Sequence, residues 1–169
     1  MPISMYQASV PSLIRALNNL VVILEKGAAH AEAQKIEPAL LINSRLYADM
    51  FPLGRQVQIA SDIACRGAAR LAGLVAPSME DKESTFPELI ARLQQAVTYL
   101  ETLPADQIDG SEARSISLPV GEETMVFEGL LYLQYFVLPN VYFHVTTAYD
   151  ILRHHGVALG KRDFLGKPA

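Results

Sequence analysis

The chain has 169 residues, half of them apolar, a net charge of −4 and one cysteine. That length fits one domain, residues 1–169, with enough apolar material for its own core. One cysteine excludes an intrachain disulfide, and an acidic chain with no Lys/Arg cluster of five or more offers no footprint for nucleic acid.

The opening Met1-Pro2-Ile3-Ser4-Met5-Tyr6 has neither the charged start nor the apolar stretch of a signal peptide. With a lone cysteine, this points to the cytoplasm. The first long helix is expected over Val10–Gln34, with Ser9 as N-cap and Pro11 in the first turn. Val10, Leu13, Leu17, Leu20 and Leu24 recur at three- and four-residue steps and form its apolar stripe. Pro38 opens a short helical turn, Pro38–Leu46.

Phe51-Pro52 introduces the second long helix, Leu53–Ala72, with Val57, Ala60, Ile63, Ala64, Ala68 and Leu71 as its core face and Gly73 as C-cap. Cys65, on this helix, reads as a small core residue. The small residues Ala60, Ala64, Gly67 and Ala68 suit close approach of another helix. Val75–Ser84 is a polar loop containing Glu80-Asp81-Lys82-Glu83. Thr85 with Glu88 three residues on is a capping box that starts the third helix, which stops near Leu103-Pro104.

Ile116, Leu118 and Val120 alternate with Ser115, Ser117 and Pro119, a strand pattern, so Arg114–Phe127 is expected as a β-hairpin turning at Gly121-Glu122-Glu123. The fourth helix covers Gly129–His155, bent at Pro139 and capped by Gly156. Gly129–Val145 reads as the most apolar segment, but Gln134, Pro139, Asn140 and His144 interrupt it, so no membrane span is expected. The tail from Val157 carries Leu159, Phe164 and Leu165, which would anchor it to the bundle.

Phosphate-binding glycine loops, the nucleophile elbow, H-E-x-x-H, C-x-x-C and Glu-x-x-His pairs are all absent from the sequence. His30, His154 and His155 sit near helix C-termini, where the dipole favours a partly positive imidazole. His144 lies mid-helix within Asn140-Val141-Tyr142-Phe143-His144. Asn140 and His144 are spaced i, i+4 and share one face, which Thr147 continues. Arg55, Gln56 and Gln58 interrupt the apolar pattern of the second helix. Two readings stand together: a core histidine bonded to a side chain of the second helix, or a polar pocket formed by His144 with Asn140, Gln56, Gln58, Arg55, Tyr142 and Thr147.

Four segments taken in order, Ser4–Pro11, Met50–Asp62, Pro139–Arg153 and Gly160–Gly166, resemble an uncharacterised bacterial domain-of-unknown-function family within the DinB/YfiT-like superfamily. The resemblance implies an all-α, antiparallel four-helix bundle of up-down-down-up topology, here with the hairpin inserted before the last helix. It also implies a homodimer. In that superfamily a divalent metal, often nickel or zinc, is commonly held by one histidine at the start of the second helix and an H-x-x-x-H pair on the fourth. Some members are thiol-dependent transferases or isomerases.

This chain departs from the pattern. Asn140 stands at the first histidine of the pair, His144 at the second, and Arg55, Gln56 or Gln58 at the third. Three functions follow as expectations. The first is a cofactor-free small-ligand-binding or interaction module with a degenerate metal site. The second is an enzyme using His144 as general base. The third is a metal enzyme with a His/Asn/Gln shell.

Overall fold

The computed structural model describes residues 2–167. The first helix, α1, spans Met5–Gln34. It starts five residues before the expected Val10, because Ser4 and Gln7 form a capping box and Pro11 lies inside the helix. Within that turn the Ser9 hydroxyl donates to Met5 O at 2.6 Å, so Ser9 is an interior residue and not the cap.

The short α2 covers only Pro38–Ile42. Beyond it Asn43 and Ser44 turn their side chains back onto Ala39 O and Leu40 O, ending the helix before Leu46. Next come α3, Leu53–Ala72, and α4, Phe86–Glu101. The Thr85–Glu88 capping box of α4 and the left-handed Gly73 after α3 stand as expected. A further turn, α5, runs Ala105–Ile108.

The hairpin consists of β1, Ser115–Val120, and β2, Glu123–Glu128, paired antiparallel with Val120 opposite Glu123. Its two-residue turn is tighter than expected. Gly121 sits at φ +62°, the position where such a loop demands glycine.

The last long helix is interrupted. It comprises α6, Gly129–Tyr132, a π turn at Leu133–Val137, and α7, Leu138–His154. Pro139 has no N–H for the carbonyl four residues back. The helix widens there, with Leu138 N–H donating to Leu133 O. A final turn, α8, spans Lys161–Leu165.

Side-chain pairs fix the topology. Ser61 meets Arg92 and Cys65 meets Ala96 O, so α3 and α4 run parallel. Gln56 meets His144 and Gly67 abuts Val137, so α3 and α7 run antiparallel. Gly27 packs against Leu152 and Phe86, at the end of α7 and the start of α4. The result is an up-down-down-up bundle of α1, α3, α4 and α7, in which residues 73–85 travel back along α3 before α4 begins.

The expected stripes fill the core: Leu13, Leu17, Leu20 and Leu24 from α1, Leu89 and Leu93 from α4, and Val141, Val145 and Ala148 from α7 are all sealed. Each buried leucine contributes about 1.5–3 kcal/mol. A Cβ added at Gly67 would lie 2.6 Å from a Val137 methyl, so α3 and the π turn approach as only glycine allows. Ile63 is half-buried at the edge of the core, beside the hairpin, instead of on the core face.

Candidate functional site

His144 projects from the middle of α7 toward the first turn of α3. It is 9% exposed, and its Nδ1 lies 2.6 Å from Gln56 Oε1. The Gln56 amide is itself oriented, since its Nε2 donates to Phe51 O at 3.0 Å. Oε1 therefore faces the ring, and an acceptor there requires a proton on Nδ1. His144 is thus the neutral Nδ1–H tautomer, with a lone pair on Nε2. Burial, and then the nearby Arg55 charge, hold its pKa below the ordinary histidine value. Phe143 stands edge-on to the ring, with centroids 5.3 Å apart.

The other residues expected around His144 divide three ways. Asn140 donates Nδ2 to Phe136 O at 2.6 Å, satisfying a carbonyl of the π turn. Thr147 donates back to Phe143 O at 2.8 Å. Both commitments stay within their own helix. Tyr142 is exposed and packs edge-on against Phe164 of α8. Tyr142 and Thr147, with Leu46, Met50 and Phe143, line an open hollow of about 460 Å³ on the outer side of α7.

Arg55 and Gln58 belong to a separate ionic cluster. Arg55 pairs with Asp81 and reaches Gln58 Oε1 at 3.3 Å, while Gln58 donates to Glu83 at 3.0 Å. At the centre is Arg92 of α4, whose side chain is 1% exposed. Its guanidinium donates to Ser61 Oγ at 2.8 Å, Asp62 at 2.7 Å, Glu83 at 3.0 Å and Glu80 O at 3.0 Å, with Asp81 at 3.0 Å. Burial alone would lower the Arg92 pKa. The carboxylates of Glu83 and Asp62 outweigh it, and the net shift is upward.

Arg92 is the residue that sequence reasoning missed. It had a signal: Arg92 follows Leu89 by three and precedes Ala96 by four, inside the core stripe, and the acidic run 80–83 supplies its partners. Cys65 is buried, and desolvation pushes its thiol up to about 12, so it is an inert core thiol.

The profile of a domain of unknown function, DUF1993, matches residues 5–165. The chain belongs to the DUF1993 family. Among solved structures it is similar to a DinB family member protein from Shewanella denitrificans, at 40% identity and a TM-score of 0.87. The match covers 96% of this chain and 92% of that one. No curated protein matches.

The DinB likeness raises the question of a metal, and the donors decide whether one fits. The first turn of α3 offers an amide, Gln56, that is already bonded on both ends. Asn140 spends its NH₂ on the backbone, leaving one imidazole, His144. Among the described residues no three His, Cys, Asp or Glu side chains are grouped to hold an ion. A borderline metal needs about three such ligands, and the donors of this DUF1993 chain do not fit one.

Proposed function

We propose that this chain is a small-ligand-binding or interaction module, homodimeric and cytoplasmic, in which a side-chain hydrogen bond occupies the place that metal ligands take in the wider superfamily. The supporting observation is the His144–Gln56 pair. Gln56 is held by Phe51 O and presents its oxygen to Nδ1, so the histidine links α7 to α3. A neutral, buried imidazole satisfied in this way stabilises the junction by about 1–3 kcal/mol, the cost of removing one partner of a buried bond.

The experiment is elemental analysis of the purified protein with thermal melting in chelator. The expected result is no stoichiometric nickel or zinc and an unchanged melting temperature. Near one equivalent of metal per chain, lost in His144→Ala, would overturn the proposal and restore a metal site.

A second reading, enzyme catalysis with His144 as general base, is favoured by one observation. The Nδ1–H tautomer leaves Nε2 as an acceptor, and a lowered pKa keeps it unprotonated near neutral pH. Gln56 would then be the orienting residue, as the third member of a catalytic constellation is.

A further inference from the structure

The C-terminal segment crosses α1 and α7 and is tied down mainly through its backbone. Arg15 donates from Nε to Leu165 O at 3.0 Å and from Nη2 to Lys167 O at 2.7 Å. Asn19 donates to Phe164 O at 2.8 Å, and Lys26 pairs with Asp163 at 2.6 Å. Gly166, at φ +73°, sits where an added Cβ would lie 2.5 Å from Asn19 Oδ1. The Gly160–Gly166 motif thus forms one wall of a cavity.

That cavity measures about 180 Å³, with Ala16, Tyr142, Phe164 and Leu165 as its apolar walls and Ser12 and Arg15 on its polar side. An apolar cavity of roughly 150 Å³ admits benzene, so this one is large enough for a single ring. A wider hollow of about 820 Å³ shares Asn19 with it and is lined by Arg162 and Lys167.

The charge here runs against the rest of the chain. The net charge is −4, yet Arg15 lines the smaller cavity and Arg162 and Lys167 line the wider one, with Lys26 reaching Asp163 beside them. Among the described residues lining the two hollows Asp163 is the acid, and Lys26 pairs with it. Arg15 commits Nε and Nη2 to carbonyls, and among the described residues its Nη1 meets no acceptor.

We propose that the paired hollow binds a small organic anion with an aromatic or branched apolar body. The body lies against the wall formed by Tyr142, Phe164 and Ala16, and the carboxylate lies toward Arg15 and Arg162. A guanidinium is the preferred partner of a carboxylate, and apolar walls with a few placed polar groups are the usual composition of a ligand site. The proposal rests on reading the chain as a binding module, and adds the place and class of its ligand, away from His144.

The probe is benzoate, titrated into the full chain and read from NMR chemical shifts. Saturable shifts are expected across residues 12–19 and 162–166, with affinity on the order of millimolar for so small a ligand. Benzyl alcohol, which keeps the ring and lacks the charge, should bind about tenfold more weakly. Ser12→Leu, which fills the cavity, should abolish the shifts. Arg162→Gln, on the exposed surface and safe for folding, should weaken benzoate severalfold and leave benzyl alcohol unchanged. Shifts centred on Gln56 and His144 would overturn this site while leaving the binding-module reading standing. Equal affinity for benzoate and benzyl alcohol, or no saturable shift, would overturn the assignment itself.

Discussion

His144 and Gln56 make a two-residue contact with a measurable pH signature. The folded-state pKa of His144 lies below the ordinary value of 6.5 because burial, and then Arg55, disfavour the charged ring. In the unfolded chain the histidine takes a proton near that ordinary value, whereas the folded protein resists it. Stability from this group is therefore complete above about pH 6.5 and is lost as pH falls toward the folded-state pKa. Urea denaturation of wild type and His144→Gln at several pH values tests this. The difference in stability between them should shrink on acidification across that window. A constant difference from pH 7.5 to 5 would show that the ring titrates normally. Arg92, by contrast, stays charged throughout, and its role is structural.

The parallel pair α3 and α4 depends on that arginine. Its guanidinium joins Ser61 and Asp62 of α3 to Glu80, Asp81 and Glu83 of the returning segment. Arg92→Met removes the central cation: Asp81 keeps Arg55 and Asp62 keeps Arg66, while the largely buried Glu83 loses its ion-pair partner. Breaking one side of a buried ion pair costs about 3–5 kcal/mol, and partial exposure of Asp81 places the expected loss toward the lower end. Chemical denaturation should record it, together with faster proteolysis of residues 74–84. A loss under 1 kcal/mol would mean that the crossing is held by apolar packing alone.

The hairpin is a different kind of element. It buries Ile116 and Leu118, covers Tyr132 and Phe136 through Phe127, and is tied to α3 by Arg114 on Leu71 O. Replacing Ser115–Thr124 by a short Gly/Ser bridge should leave helical circular dichroism largely intact, because each helix still buries its own stripe, while lowering the melting temperature. Loss of most of the helical signal would make the hairpin part of the folding core.

For the whole molecule, the question is which surface is spare. The small residues Ala60, Ala64, Gly67 and Ala68 serve close helix approach inside the bundle, as expected: all four are buried, with Gly67 against Val137. Large apolar side chains are instead exposed at Tyr47 (71%), Phe51 (53%) and Phe143 (56%), around the segment between α2 and α3 and the outer side of α7. Apolar exposure of that kind favours an interface. Light scattering of the wild type on the order of tens of micromolar should give twice the 18.5 kDa chain mass. Phe143→Glu should return it toward the monomer, and a wild-type mass near 18.5 kDa would rule the dimer out. Among the described residues, the helix that meets the length and hydropathy of a membrane span is α1, not Gly129–Val145, and half of its most apolar window is buried in the bundle.

The sequence by itself determined the four long helices, the capping box at Thr85, the hairpin and the apolar stripes, because period and turn chemistry act over a few residues, but not the short turns α5 and α8. It misplaced the start of α1, since Ser9 and Pro11 resemble a cap while Ser4 and Gln7 form one. It identified Gln56 and His144 as polar interruptions, yet their contact joins residues 88 apart and exists only once α3 and α7 pack antiparallel. It also grouped Asn140, Thr147, Arg55 and Gln58 with them. Asn140 and Thr147 turn instead to carbonyls four residues back in their own helix, a local choice, whereas packing against residues 80–83 sends Arg55 and Gln58 to the Arg92 cluster.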